Sequence, residues 1–333
     1  MPYPDPYIAI LDVGHGNCTI LKDGNETIVI DCGAKSCGLL EFLVREGIYL
    51  INKLYISHSD QDHIGGLLGL LSTGQFTIHE ITVNSDATKS SDLWNDLLYQ
   101  LDEMRENGET KFSIGISRSE GLINCGTIDV QIVGPTPYLA GKGVGGQDSW
   151  KRSINSNSLS ATFNIFWQEK SIVYLAGDLD QIGLDDLLRH NPVLKSDILV
   201  FPHHGGKAGD TNLIHFTETL CDQITPHTVI FSIGRNKFEN PQPEIVAAIK
   251  NKIKGVRISC TQLSKHCMKD IELKELNHLV DVFSRGREDS FCCSGSFIIM
   301  LGEKVIHYPD QDFHLQFIRS AALTPLCITF SSS

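Results

Sequence analysis

The sequence predicts a layered α/β (α+β) protein, and three observations carry that expectation. Short β-branched runs at 7–13, 18–21 and 27–31 are broken by Gly14-His15-Gly16-Asn17 and Asp23-Gly24-Asn25, the punctuation of paired strands. Further along, strand-like runs alternate with helical patterns. Finally, polar residues collect where runs stop, at Asp12, at 58–63, at Asp178 and at His203-His204. In layered α/β folds such ends are held by a rigid sheet yet lie outside its ladder, so sites gather there.

The elements follow in order. A helix is expected at 38–46, then a strand at 53–56 that runs into Ser57-His58-Ser59-Asp60-Gln61-Asp62-His63-Ile64-Gly65-Gly66-Leu67. A helix at 64–71, a strand at 78–83, an amphipathic helix at 91–106 and strands at 127–133 and 159–167 come next. The stretch 135–158 bears Gly, Pro, Lys142, Lys151 and Arg152 without periodicity and reads as a long loop. A strand at 171–176 ends in Gly177-Asp178-Leu179-Asp180, and one at 197–201 ends in Pro202-His203-His204-Gly205-Gly206-Lys207. A strand at 228–233, a helix at 244–252, a strand at 256–260 and strands at 296–301 and 304–307 complete the chain. No repeat of fixed period is present.

Composition narrows the class. A chain of 333 residues, 41% apolar, can bury one large core, and a single domain over 1–333 is expected. The formal net charge of -12 argues against a protein that coats polyanions non-specifically. Met-Pro-Tyr-Pro-Asp-Pro has neither the basic nor the apolar part of a leader, and no run approaches the ~18 apolar residues that span a bilayer. A cytoplasmic protein without membrane contact is therefore expected. Ten Cys in a chain of this length are core thiols or metal ligands in a reducing compartment rather than a disulfide scaffold.

The segment 57–67 carries the chemistry. His58, Asp60, Asp62 and His63 fall within six positions directly after a strand, and imidazole and carboxylate are side chains that bind divalent metals. An ordinary helix cap would account for one aspartate, not for two aspartates and two histidines.

Taken together, these motifs resemble the metallo-β-lactamase fold superfamily, and within it the ComEC/Rec2-like branch of competence-type hydrolases. The resemblance rests on Leu11-Asp12-Val13-Gly14-His15-Gly16-Asn17-Cys18, Val29-Ile30-Asp31-Cys32-Gly33 and His58-x-Asp60-x-Asp62-His63-x-Gly65-Gly66. It continues through Asn157-Ser158-Leu159-Ser160, Leu175-Ala176-Gly177-Asp178, Pro202-His203-His204-Gly205-Gly206-Lys207 and Ser232-Ile233-Gly234-Arg235-Asn236, so it runs from about 7 to 301. It implies a four-layered αββα sandwich with two divalent metal ions, Zn or Mn, at the edge of two sheets. Asp178 would bridge the ions; His58 and Asp60 would serve one, Asp62 and His63 the other, with His203 or His204 completing the set. An extended segment turns neighbouring side chains to opposite faces, so only one of those two histidines is expected at the metals.

The resemblance also has departures. Asp60 stands where most of the superfamily has His, a harder ligand that shifts preference from Zn²⁺ towards Mn²⁺ or Mg²⁺. Asn157-Ser158 occupies the place of a further histidine, and Asn240-Pro241-Gln242-Pro243 replaces a His-Pro-His-Pro segment that could protonate a leaving group. This chain would then use water or another donor such as His15. Two ions held in this way activate water directly, so no protein nucleophile is needed. Asp62 is the side chain expected to orient that water, and Lys207 could hold a phosphate as a point charge or be a solvated surface lysine.

A second metal site is a further expectation. Cys260, His266, Cys267, Cys292 and Cys293 lie in a Cys/His-rich part at 256–301, and four such donors would close a tetrahedral structural Zn site. The alternative is a set of buried free thiols.

The function expected is that of a metal-dependent phosphodiesterase, a nuclease acting on DNA or RNA, or an enzyme acting on a cyclic nucleotide. Lys142, Lys151, Arg152, Lys207, Arg235 and Lys237 could form a local positive rim in an otherwise acidic chain. A lactamase- or thioesterase-like hydrolase is a second reading. A regulatory subunit working with a partner such as an ATPase, in a defence or DNA-handling system, is a third.

Overall fold

A computed structural model describes residues 2–328, apart from 36, 85, 120, 190–193, 208, 210–211, 236 and 270–275. The chain begins with β1 (Tyr7–Ile10), β2 (Thr19–Asp23) and β3 (Glu26–Ile30), followed by α1 (Cys37–Glu46), β4 (Leu50–Ile56) and α2 (Gln61–Ser72). Next are β5 (Thr77–Val83), α3 (Asp92–Glu106), β6 (Lys111–Ile114), β7 (Ile123–Cys125), β8 (Ile128–Gly134) and α4 (Pro137–Lys142). The second half holds β9 (Thr162–Trp167), β10 (Lys170–Leu175), α5 (Gln181–Leu188), β11 (Ile198–Val200), α6 (Leu213–Ile224) and β12 (Thr228–Phe231). It ends with α7 (Pro243–Lys252), β13 (Arg257–Cys260), β14 (Phe297–Met300), β15 (Ile306–Tyr308) and α8 (Gln311–Ala321).

Two mixed sheets result. An eight-stranded sheet has the order β15-β14-β1-β2-β3-β4-β5-β6, and a seven-stranded one has β13-β12-β11-β10-β9-β8-β7. In the first, β3, β4, β5 and β6 run parallel; in the second, β10 to β13 do, and the remaining pairs are antiparallel. Apolar side chains explain the stacking. Within β1, Ile8 and Ile10 enter a core shared with Phe163, Ile165, Val173 and Ile230 of the other sheet, while Tyr7 and Ala9 face Phe42, Leu67 and Leu97 of α1, α2 and α3. On the far side, Tyr174, Leu199 and Val229 meet Leu184, Phe216, Ile249 and Phe317 of α5 to α8. Strands buried on both faces read as continuous apolar runs, as they do here. The architecture is the αββα sandwich that the motifs imply.

Three differences from the sequence expectations have local causes. The stretch 135–158 contains α4, because Thr136 caps it by accepting from the Leu139 N–H and is itself held by Asp186 Oδ2 at 2.7 Å. Helices α5 and α6 fall where no element was expected; Asp180 and Asn212 start them, accepting from the Gly183 and His215 N–H groups. The helix after 57–67 begins three residues earlier than its apolar pattern, at Gln61. Asp60 occupies its N-cap position without making a side-chain cap bond, which leaves the carboxylate available for other contacts.

Candidate metal centre

The site is assembled from the C-terminal ends of β4, β10 and β11. The first turn of α2 docks on the end of β3, where the Cys32 N–H donates to His63 O and the Gly66 N–H to Gly33 O, both at 2.9 Å. Asp31, at a φ of 59°, turns its carboxylate inward beneath this turn. It accepts the Ser57 N–H at 2.7 Å, the Ser57 hydroxyl at 2.8 Å and His63 Nδ1 at 2.7 Å.

Asp178, just past β10, sits at the middle. Its Oδ1 is 3.5 Å from His63 Nε2 and 3.6 Å from His204 Nε2; its Oδ2 is 3.8 Å from His58 Nε2 and 3.6 Å from His203 Nδ1. Asp62 Oδ2 joins the first set, 3.2 Å from His204 Nε2, and Asp60 Oδ2 joins the second, 3.6 Å from His58 Nε2. Asp62, His63, Asp178 and His204 offer donor atoms that all lie within 4.8 Å of one another. The Asp178 backbone is fixed by its N–H donating to Ser160 Oγ at 2.9 Å.

Tautomers follow from the outer contacts. His63 Nδ1 donates to Asp31 and His204 Nδ1 donates to Ser232 O at 2.7 Å, so each neutral ring keeps its lone pair on Nε2, aimed at carboxylate oxygens. Lone pairs facing carboxylates inside a protein call for a cation between them. His58 Nε2, His63 Nε2 and Asp178 Oδ1 are also buried without a hydrogen-bond partner among the described residues. The donor set, nitrogen and oxygen at separations of 3.2 to 3.8 Å, fits divalent ions with bonds of about 2.0–2.2 Å.

Charge is concentrated here. Burial opposes ionisation of Asp178, but His204, His203 and His63 outweigh it and hold the carboxyl well below the usual range. Asp62 is likewise lowered: burial acts against it, and His204 and His63 prevail. Asp60 is lowered chiefly by the His58 imidazole 3.6 Å away, with help from Lys89, whose ammonium pairs with its other oxygen. For His204, burial is overcome by Asp178 and Asp62, and its pKa rises. His15 goes the other way: burial and the charge of His204 push it down to about 3, against the pull of Asp62 at 3.4 Å.

His58, Asp60, Asp62, His63, Asp178, His203 and His204 are therefore all brought together. The either-or between His203 and His204 does not hold, since both face Asp178. The two residues have φ values of 51° and 55° in a 3-10 turn at Pro202–Gly205, so the chain coils instead of extending and successive side chains do not alternate. Lys207 lies exposed on the rim of a cavity of about 440 Å³ that includes Asp62, Asp178, Asn157 and Lys237. Ser160, with its Oγ 3.4 Å from His58 Nδ1, approaches the cluster where Asn157-Ser158 was noted. Asp31 and Ser57 fall within motifs already quoted, without a role assigned to them, and Lys89 is a supporting residue that no motif marks.

The cysteine set gathers only loosely, with Cys293, Cys267 and Cys327 as neighbours that raise the Cys260 thiol further. Among the described residues none of its donors joins a group of three within bonding reach of one ion. His266 Nε2 contacts Glu239 O at 3.1 Å, Cys292 Sγ points to Asp12 Oδ2 at 3.7 Å, Cys293 Sγ lies 3.3 Å from His314 Nε2, and Cys267 Sγ accepts from the Leu326 N–H. Burial pushes the Cys260 and Cys293 thiols well up, as for core thiols. The expected positive rim is reduced too. Arg235 is buried and its guanidinium donates to Leu263 O, Met268 O and Lys269 O, while Arg152 pairs with Asp148 and Asp185. Asn236 of the motif at 232–236 lies outside the described residues.

The family model described as Metallo-beta-lactamase superfamily matches residues 11–206, more than half of the chain. ComE operon protein 3 of Bacillus subtilis (strain 168) is 25% identical over 64% of this chain and 24% of its own length. Recombination protein 2 of Haemophilus influenzae is 26% identical over 70% of this chain and 25% of its own. The chain thus spans about a quarter of the length of these relatives, which fall in the branch that the motifs resemble. The metallo-beta-lactamase fold protein YhfI from Bacillus subtilis aligns with a TM-score of 0.46 at 13% identity, covering 75% of this chain and 95% of that one. Among the described residues no helix is long and apolar enough to cross a membrane.

Proposed function

Because the chain belongs to the metallo-beta-lactamase superfamily, we propose that it is a metal-dependent phosphodiesterase, and within that class a nuclease, built on a dinuclear centre. One observation carries this reading. The Asp178 carboxylate divides its oxygens, Oδ1 towards His63 and His204 and Oδ2 towards His58 and His203, as a bridge between two ions requires.

When bound, a pair of divalent ions supplies Lewis-acid activation of a phosphodiester and of water near neutral pH. The chain's own part is to hold and orient. His63, Asp62, His204 and Asp178 Oδ1 would hold one ion; His58, Asp60, His203 and Asp178 Oδ2 would hold the other. Asp62, kept ionised by its histidine neighbours against the effect of burial, is placed to accept a proton from an attacking water. His15 Nε2 sits 3.4 Å from Asp62 Oδ2 and limits its rotation. Lys207 and Lys237 place positive charge on the rim, where a phosphate would enter. Two carboxylates besides the bridge make the set oxygen-rich, which favours Mn²⁺ alongside Zn²⁺.

The relative named as a recombination protein supports a nucleic-acid substrate. A cavity of about 440 Å³ with Lys207 and Lys237 as its exposed cations favours a second substrate within the same chemistry, a small nucleotide that needs no basic track. Purified protein loaded with Mn²⁺, Zn²⁺ or Mg²⁺ should cleave labelled DNA or RNA, a cyclic nucleotide or bis-p-nitrophenyl phosphate, with Asp178→Asn inactive. Metal-loaded protein that turns over none of these would sink the proposal.

A further inference from the structure

At the mouth of the site stands an aromatic ring that the chemistry above leaves unused. Phe238 is 52% exposed, yet it lines the same cavity as Asp62, Asp178 and His204. Its ring centroid is 4.7 Å from that of His15, and the His15 ring is 4.2 Å from that of His204. Rings therefore step outward from the candidate ligands to solvent. Lys237, whose Nζ is 5.8 Å from the Phe238 centroid, and Lys207 are exposed beside it. Tyr99 on α3 and Phe313 on α8 are also exposed, and Trp150 has Arg152 and Arg189 over its ring, but none of the three lines this cavity.

An aromatic face open to water gains when a flat apolar partner covers it. Cations that follow a phosphate backbone, combined with an aromatic ring that takes a base, are the means by which single strands are held. Here the ring is joined to His204 through the His15 ring, and both cations line the same cavity as Asp178. A base paired inside a duplex is stacked on both faces and offers none to such a ring. We propose that Phe238 is the base-stacking platform of this site, so that its substrate is a phosphodiester next to an unpaired nucleobase, with Lys237 and Lys207 taking neighbouring phosphate oxygens. The inference rests on the phosphodiesterase reading and names its substrate class.

Two esters with one leaving group test it: thymidine 5′-(p-nitrophenyl phosphate), which carries a base, and methyl p-nitrophenyl phosphate, which carries none. In the Mn²⁺-loaded protein, Phe238→Ala should raise KM for the thymidine ester about tenfold or more and that of the methyl ester by less than about twofold, and Phe238→Trp should restore the former. Equal effects on both esters, or on neither, overturn the proposal. Binding of a fluorescein-labelled oligothymidylate to the metal-free protein provides a readout independent of turnover. Phe238→Ala should weaken it about tenfold without changing binding of a duplex of the same length. If the wild type hydrolyses neither ester, a weakened single-strand affinity keeps this inference while the hydrolytic reading falls; an unchanged affinity overturns it.

Discussion

Asp31 accepts the Nδ1 proton of His63 across 2.7 Å, with both residues buried beneath the first turn of α2. The bond turns the lone pair of His63 Nε2 towards Asp178 and stops the ring from rotating away. Its acceptor oxygen also takes the Ser57 hydroxyl, so an amide there would put an N–H₂ group against donors or lose one of the bonds. Asp31→Asn is expected to weaken Mn²⁺ or Zn²⁺ affinity about 10- to 100-fold. Competition against a chromophoric chelator measures this, and an unchanged dissociation constant would refute the positioning role.

The halves of the centre should separate by mutation. His204 faces Asp62 and Asp178 Oδ1, whereas His203 faces Asp178 Oδ2 on the side of His58 and Asp60. His203→Ala is expected to leave a mononuclear Mn²⁺ spectrum by electron paramagnetic resonance, whereas Asp178→Asn should deplete both sites in elemental analysis. A His203→Ala protein with the spin coupling and metal content of the wild type would contradict the division.

Gly66 lies where α2 crosses the end of β3. A Cβ built there would be 2.0 Å from Cys32 O, and the backbone is tied by the Gly66 N–H to Gly33 O. Neither atom belongs to a flexible side chain, so Gly66→Ala should destabilise the fold by about 3 kcal/mol in urea unfolding. Gly24→Ala is the control: its φ of 53° carries a strain of about 1–2 kcal/mol, but nothing lies within 4 Å of its Cβ. Equal losses at the two positions would show that crowding at α2 is not the cause.

His314 makes stability depend on pH. On the buried face of α8, its Nε2 is 3.0 Å from Ser294 Oγ and 3.3 Å from Cys293 Sγ, and burial, aided by Arg257 and His278, pushes its pKa down to about 3. The unfolded chain takes up a proton near pH 6.5 that the folded one refuses, so stability falls as pH drops through that window towards 3. The slope contributed is about 1.4 kcal/mol per pH unit. His314→Gln should be less stable than the wild type at pH 7, and the gap should narrow as pH drops from 6.5 to 4.5. A gap that stays constant across these pH values would exclude the titration.

Much of this was legible without coordinates. His58, Asp60, Asp62 and His63 occupy one turn, and their proximity follows from chain connectivity alone. Asp178 and the His203-His204 pair could be placed because each ends an apolar run that reads as a strand of a layered sheet. Helices α5 and α6 were not legible, because Asp180 and Asn212 resemble loop residues until the N–H groups they cap are seen. The cysteines misled for a related reason: closeness along the chain at 260–267 and 292–293 implied a shared ion. The sulfurs instead take other partners, among them Asp12, His314 and the Leu326 N–H, and among the described residues no three donors of the set come within reach of one ion.

By itself the sequence marked the candidate ligand residues and the ends of the strands that present them, since both depend on side-chain type and on the period of the apolar pattern. Only the tertiary structure decided that Asp31 orients His63, that Lys89 pairs with Asp60, that both His203 and His204 face Asp178, and that Phe238 stands over the mouth. Those are contacts between segments remote in sequence or backbone angles of the left-handed kind. They arise when two sheets and their helices close on one another, a packing event that no local run of residues encodes.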